Sequence, residues 1–376
     1  QIITPDNSAV LAGDSSFPFD GVSVTEAPNA QGEARLTTDG FGGAYIVWDD
    51  LQNPHYNLYV QHYNASGTAS FQEGGIFLSD ADNNQISPLI RPDQYGGALA
   101  VWEDRKDGSI SIYVQHIDPA SGVTLQDDGL SMYYGIDGSA FLYNDEDPYN
   151  AKSKSLYLDN KNLVYWEDRR GGNIYMNDTP FTTYYTYGTF VDNSGPGDNK
   201  QLSDYFDQKF SDVKFTDNQF MLSFVGSDVG TGDNMIKYQM LDEDLNIIIP
   251  EDGTFIDSEQ FAPQGSNRSY ASAVTSNDDY RLFYSKNNSD SNYLNEIFSV
   301  LIDGESGLVT SEPTLMLSKS DDFSGLTLKD LYYDNLYEHP VSIYEEQNLM
   351  GNNTLHLLGS DNGIISLGLG GENQQF

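Results

Sequence analysis

The sequence predicts an all-β fold, a six-bladed β-propeller of four-stranded antiparallel blades. Three observations predict it: a phrase written twice almost verbatim with a recognisable third copy, weaker copies of that phrase at steady spacing, and the near absence of sustained helical periodicity. The first copy is Gly42-Gly43-Ala44-Tyr45-Ile46-Val47-Trp48-Asp49-Asp50, followed by Asn57-Leu58-Tyr59-Val60-Gln61-His62. The second is Gly96-Gly97-Ala98-Leu99-Ala100-Val101-Trp102-Glu103-Asp104-Arg105, followed by Ser111-Ile112-Tyr113-Val114-Gln115-His116. The third is Leu163-Val164-Tyr165-Trp166-Glu167-Asp168-Arg169-Arg170, followed by Asn173-Ile174-Tyr175-Met176.

Within a copy, a glycine turn leads into an apolar run that ends on an aromatic residue. Polar residues make the next turn, and a second run alternates apolar with polar. Short β-branched and aromatic runs bounded by Gly, Asn and Asp read as strands joined by hairpins. A Gly-led strand comes next, at Gly75-Ile76-Phe77-Leu78 and at Gly129-Leu130-Ser131-Met132. Another short strand, such as Ile86–Ile90, precedes each Gly-Gly, which makes four strands per unit. Weaker copies centre on Phe224, Tyr284 and Tyr344. Counted from Trp48 through Trp102 and Trp166, the successive spacings are 54, 64, 58, 60 and 60 residues. Blades bury their faces only against neighbours, so the repeat predicts one domain over 1–376. The expected blades are 34–90, 91–147, 148–215, 216–274, 275–333 and 334–376. The N-terminal segment 1–33 is expected to close the ring: Pro18–Thr25 resembles a fourth strand, and the last unit shows its own fourth strand poorly. Closure of this kind removes an exposed sheet edge.

The net charge is −39, from 18 basic and 57 acidic residues. Such a surface repels nucleic acid and anionic membranes, so neither is an expected partner. There is no cysteine, which excludes disulfides, thiol catalysis and Cys-based zinc sites. No run approaches the ~18 apolar residues of a membrane helix. The chain opens at Gln1 with no basic or apolar leader, which reads as a mature, processed N-terminus.

The string Val-Trp-Glu-Asp-Arg with Ile-Tyr-Val-Gln downstream resembles repeats in secreted and surface proteins of Bacteroidetes-type bacteria, many of them exported by the type IX route. Residues 96–118 carry the match best and 163–176 well. The resemblance implies a propeller and a secreted or cell-surface location, and it implies no single activity. A C-terminal sorting domain, common in that group, is not visible in the sequence.

The chemistry-bearing groups divide into repeated and unrepeated ones. The acidic pairs Asp49/Asp50, Glu103/Asp104, Glu167/Asp168 and Glu345/Glu346 recur at one blade position, as do His62 and His116. Recurrence points to structural work, since a catalytic site draws different residues from different blades. The Asp-box of sialidase-like propellers is missing, and so are Gly-x-Ser-x-Gly, His-Glu-x-x-His and a phosphate loop. The one cofactor the sequence suggests is calcium, through oxygen ligands at the Asp-rich turns holding Asp80, Asp82, Asp242 and Asp244. Tyr184, Tyr185 and Tyr187 are candidates for a sugar-stacking platform. The leading expectation is therefore a non-enzymatic interaction module that binds an envelope protein or a glycan. The second is a carbohydrate-active enzyme, a glycoside hydrolase or lyase, with its site at the channel mouth. The third is a structural subunit of an extracellular assembly.

Overall fold

The computed structural model describes residues 2–3, 9–10, 23–28, 30–51, 55–79, 81–82, 84–93, 95–104, 111–133, 154–158, 161–168, 173–176, 179–182, 185–192, 194–203, 208–216, 219–227, 234–248, 254–256, 270–286, 296–319, 323–334, 339–348, 353–359 and 364–366. Among these, strands β1 (Ile2–Ile3) and β2 (Ala9–Val10) pair with each other. The first large sheet is a meander of β3 (Gln31–Thr38), β4 (Ala44–Leu51), β5 (Tyr56–Tyr63) and β6 (Ile76–Ser79). The second runs through β7 (Gln85–Pro92), β8 (Ala98–Asp104) and β9 (Ser111–Asp118), with β10 (Gly122–Val123) and β11 (Leu130–Tyr133) both on β9.

The third sheet uses β12 (Lys154–Leu158), β13 (Lys161–Asp168), β16 (Tyr185–Asp192), β17 (Gly195–Pro196) and β18 (Lys200–Gln201). A separate hairpin of β14 (Asn173–Met176) and β15 (Thr179–Thr182) is inserted between β13 and β16. The fourth sheet is β19 (Gln208–Phe215), β20 (Gln219–Ser227), β21 (Asn234–Asp242) and β22 (Thr254–Phe255). The fifth is β23 (Tyr270–Val274), β24 (Tyr280–Lys286), β25 (Glu296–Ile302) and β26 (Thr314–Ser318). The sixth is β27 (Phe323–Asp334), β28 (His339–Asn348), β29 (Asn353–Gly359) and β30 (Ile364–Ser366). These six sheets, each of four or five strands, are the blades of an all-β propeller.

By compactness the chain divides into two units. One holds residues 1–143, 157–163 and 190–197, and the other holds the remainder. In the first unit, β3 lies against β7. In the second, β19 lies against β23 and β23 against β27. First strands thus meet first strands, as the inner strands of neighbouring blades do. Side chains alternate across each strand, so one face of a sheet meets the next sheet. Tyr45, Val47, Leu58 and Val60 of the first sheet pack with Ala98, Ala100 and Trp102 of the second. Met221, Tyr238 and Met240 pack with Tyr280, Leu282 and Val300. Ala271, Phe283 and Ile297 pack with Leu326, Leu328 and Tyr344.

The repeated aromatic has a definite partner. Trp48 stacks on Tyr59 across the β4–β5 pairing, with ring centroids 5.8 Å apart. Trp102–Tyr113 and Tyr284–Phe298 repeat this at 5.9 and 5.8 Å. The Gly-led fourth strand follows from the same packing. A Cβ at Gly75 would lie 2.7 Å from the Trp48 ring, and φ there is +83°. Only glycine meets both conditions without strain.

Three expectations are corrected. The second, fourth, fifth and sixth blades each start one strand earlier than the expected bounds. Residues 85–90 belong to the second sheet, 208–215 to the fourth, 270–274 to the fifth and 323–333 to the sixth. Each of these strands pairs with the aromatic strand that follows. The last sheet takes its fourth strand from its own Ile364–Ser366, which pairs with β29, and not from the N-terminus. Residues 18–22 of the segment expected there lie outside the described residues. Third, Asn173–Met176 is not the third strand of its sheet. Tyr185–Asp192 holds that place, because the turn that ends the third strand begins at Asp192.

Candidate functional site

The repeated polar groups are structural. His62 is buried, with Nε2 3.0 Å from Asp39 Oδ2 and Nδ1 2.7 Å from Ser70 Oγ. His116 repeats the arrangement with Asp93 at 2.8 Å and Thr124 at 2.6 Å. The other oxygen of Asp39 accepts the Phe41 and Gly43 amides at 2.7 and 2.8 Å, which fixes the β3–β4 turn. Burial alone would raise the Asp39 carboxyl, but these bonds and His62 hold it below the usual range. Gln61 and Gln115 tie residues 71–72 and 125–126, ahead of the fourth strands, to β5 and β9 through their side-chain amides.

The acidic pairs do not converge. Asp49 and Asp50 are consecutive on β4, as Glu103 and Asp104 are on β8, so each pair splits between opposite sheet faces. All four are buried. Desolvation, with Glu33 second, raises the Asp49 carboxyl. Trp102 Nε1 donates to Asp104 Oδ2 at 3.3 Å. Two carboxylates flanking one glycosidic bond must face a shared space, and these do not. The side chains of Glu167, Asp168, Arg105 and Arg169 lie outside the described residues.

Asp242 closes a turn. Its Oδ1 accepts the amides of Asp244 and Asn246 at 3.0 and 2.8 Å, and its Oδ2 accepts Asn246 Nδ2 at 2.9 Å. Lys200 Nζ lies 2.6 Å from the Asp244 carbonyl and 3.1 Å from Asn246 Oδ1, where a cation would otherwise complement the turn. Asn64, Asp118, Asp192 and Asp303 cap the corresponding turns of other sheets. These are Asx turns, the turn chemistry that Asp- and Asn-rich loops commonly carry. Asp82 is exposed, and its carbonyl accepts from Gln85 Nε2 at 3.4 Å. Asp80 lies outside the described residues. Among the described residues no group of three or more His, Asp or Glu side chains is placed to hold a metal.

The tyrosine platform does not form as expected. Tyr187 is 8% exposed, with its hydroxyl 3.4 Å from Gln201 Oε1, and it belongs to the core. Tyr185 is half-buried, and Tyr184 lies outside the described residues.

Unrepeated chemistry gathers on the first strands of the second unit. Asp212 of β19 accepts the Ser272 hydroxyl of β23 at 2.9 Å and the Tyr165 hydroxyl of β13 at 3.4 Å. Lys214, two residues on and so on the same face, brings Nζ to 3.2 Å from Asp212 Oδ2. The Tyr165 hydroxyl also accepts the Val213 amide at 3.2 Å. The side chains of Asp212 and Lys214 are 27% and 29% exposed, so both reach solvent. A β-bulge between Lys209 and Asp212 aims this carboxylate. In other blades the matching register position, opposite the residue before the aromatic, holds Arg35, Leu89 and Ala271. In the sixth it holds Asp330, again just after a bulge. Sequence reasoning missed this cluster, whose members are scattered in the chain and individually common.

A second unrepeated group lies in the sixth sheet. His356 takes the place that Tyr59 and Tyr113 hold elsewhere and stacks on Tyr344 at 5.0 Å. Glu346 lies 3.6 Å from His356 Nε2 and 3.0 Å from Lys319 Nζ. Burial pushes the imidazole pKa down and the Tyr344 hydroxyl up to about 12. Neither imidazole nitrogen, nor the Tyr344 hydroxyl, has a hydrogen-bond partner or solvent access. These three atoms are sealed from solvent, whereas the Asp212 and Lys214 side chains reach it.

No protein-family model matches the chain, and no curated protein does. Solved structures do match. The polysaccharide lyase Uly1 is 10% identical, over 98% of this chain and 86% of its own, with a TM-score of 0.47. The α-L-arabinofuranosidase of Fusarium graminearum, in complex with arabinobiose, is 13% identical over 89% and 92% with a TM-score of 0.40. The endo-arabinase of Bacteroides thetaiotaomicron is 11% identical over 56% and 77% with a TM-score of 0.33. The leading expectation, a non-enzymatic interaction module, is corrected on this point: the matched structures are carbohydrate-active enzymes, the class the second expectation named.

Proposed function

We propose that the protein is a carbohydrate-active enzyme that hydrolyses a neutral glycan at the Asp212 cluster. One observation carries this reading. Asp212, Lys214, Ser272 and Tyr165, drawn from three sheets, converge where the blade repeat is broken, and the Asp212 and Lys214 side chains stay open to solvent. Hydrolysis needs one carboxyl to protonate the leaving oxygen and a second carboxylate to handle water or form the glycosyl bond. Asp212 supplies one carboxylate; Asp330 shares its backbone register on β27, and the Asp330 side chain lies outside the described residues. Ser272 and Tyr165 orient the Asp212 oxygens, and Lys214 sets a positive charge beside them. The net charge of −39 favours a neutral chain over a polyanionic one. The same acidic surface and the repeat resemblance support action outside the cytoplasm, checked by fractionating the native source.

The test is incubation with soluble arabinan, xylan and polygalacturonate, reading reducing ends and unsaturated products separately. Reducing ends from a neutral glycan, lost at least a hundredfold in Asp212→Asn with the fold intact, are expected. Unsaturated ends from polygalacturonate would replace hydrolysis by elimination. No product from any glycan would remove the reading.

A further inference from the structure

We infer that Phe41 and Tyr95 form a second, non-catalytic glycan-binding platform, which takes neutral polysaccharide chains by stacking. The inference rests on the carbohydrate-active reading and adds a site remote from its chemistry in sequence.

Phe41 and Tyr95 occupy the same position in the β3–β4 and β7–β8 turns of the first unit. They are 68% and 74% exposed, the two most exposed large apolar residues among those described. Such exposure of a phenylalanine costs solvation free energy, and nothing in the turn requires an aromatic there. The turn is instead built by its neighbours. Asp39 Oδ1 accepts the Phe41 amide at 2.7 Å, and Asp93 Oδ1 accepts the Tyr95 amide at 2.7 Å. Each aspartate is held in turn by its buried histidine. Both rings therefore project from backbone that is fixed before any ligand arrives, which lowers the ordering cost of binding.

The rings belong to one surface. A Cβ on Gly96 would sit 3.4 Å from the Phe41 ring, so Phe41 lies over the backbone next to Tyr95. Tyr45, below, donates its hydroxyl to the Gly96 carbonyl at 2.8 Å and locks the two turns together. Beside Phe41 is the turn Asn64–Thr68: a Cβ on Gly42 would lie 3.2 Å from that of Ala65. This turn exposes the Ser66 and Thr68 hydroxyls, neutral groups suited to sugar hydroxyls.

The chemistry selects the occupant. Aromatic faces carry negative charge density and attract the C–H faces of sugar rings. No described lysine or arginine takes part in the platform, and the molecule is strongly acidic, so a polyanionic chain is disfavoured.

The experiment is affinity electrophoresis of the full chain, in the catalytically silenced Asp212→Asn background, through gels containing arabinan, xylan or polygalacturonate. Retardation by a neutral glycan is expected and by polygalacturonate is not. Phe41→Ala with Tyr95→Ala should weaken the apparent affinity about tenfold. The swap Phe41→Tyr with Tyr95→Phe should keep it. In the Asp212 wild-type background the double alanine variant should cleave short oligosaccharides normally and lose rate on long chains. Retardation that survives the double alanine variant, or fails with every neutral glycan while cleavage persists, overturns the platform and leaves the enzyme reading standing. Cleavage lost with binding retained overturns only the enzyme reading.

Discussion

A single missing atom decides whether a blade can close over its tryptophan. At Gly75 an added methyl would meet both the Trp48 ring and the Val60 carbonyl at 2.7 Å, in backbone at φ +83°. Gly75→Ala is expected to cost about 2 kcal/mol, read as a lower urea midpoint at unchanged slope. His356 presents the reverse case. It fills an aromatic slot with two buried nitrogens that make no hydrogen bond. His356→Phe should therefore stabilise the chain by about 1 kcal/mol, measured in the same way, and no gain would mean that its 3.6 Å approach to Glu346 matters. Asp39 sets an acid limit. Its folded pKa is depressed, so its contribution is complete above its unfolded value, about 3.9, and is lost as pH falls through the folded one. Asp39→Asn should flatten that part of the acid-unfolding curve. The glycine and tryptophan were legible in the sequence because they recur. The Asp39–His62–Ser70 chain was not, because its members lie 23 and 8 residues apart on three separate segments.

At the scale of elements, the turn after each third strand explains more acidic residues than any ion site does. Asp118, Asp192, Asp242 and Asp303 each sit below the normal carboxyl range. For Asp118, Asp192 and Asp303, hydrogen bonds from turn serines lead. For Asp242, Asn246 and the turn amides overcome the effect of burial. The sequence does carry this signal, as Asn64-Ala65-Ser66-Gly67, Asp118-Pro119-Ala120-Ser121-Gly122 and Asp303-Gly304-Glu305-Ser306-Gly307. Read as ligand spacing it misleads, and read as turn chemistry it marks where each third strand stops. It would also have placed Tyr185–Asp192, rather than Asn173–Met176, in the third sheet. Asp242→Asn keeps the acceptor and should melt like the wild type. Asp242→Ala loses it and should cost about 1 kcal/mol. Equal melting of the alanine variant, followed by calorimetry, would show that Lys200 and the backbone suffice.

Across the whole molecule, 57 acidic residues face 18 basic ones. Self-repulsion on this scale opposes compaction, and salt relieves it. Raising sodium chloride from about 0.01 M to about 1 M shortens the screening length from about 30 Å to about 3 Å. The melting temperature should rise across that range, and a flat response would mean that the charges are already locally compensated. Composition showed this charge at once, and the repeat spacing showed six units. Neither could show Asp212 beside Ser272 and Tyr165, since that neighbourhood exists only once first strands of successive blades meet.

Five of the six large sheets are made from strands consecutive in the chain, and the third is interrupted only by the β14–β15 hairpin. Pairing therefore joins residues close in sequence, which keeps loop-closure entropy small for a β-protein. Each blade can form as soon as its own stretch leaves the ribosome, without waiting for distant sequence. Folding should then proceed vectorially, blade after blade from the N-terminus, with the exposed face of the newest blade as the transient aggregation hazard.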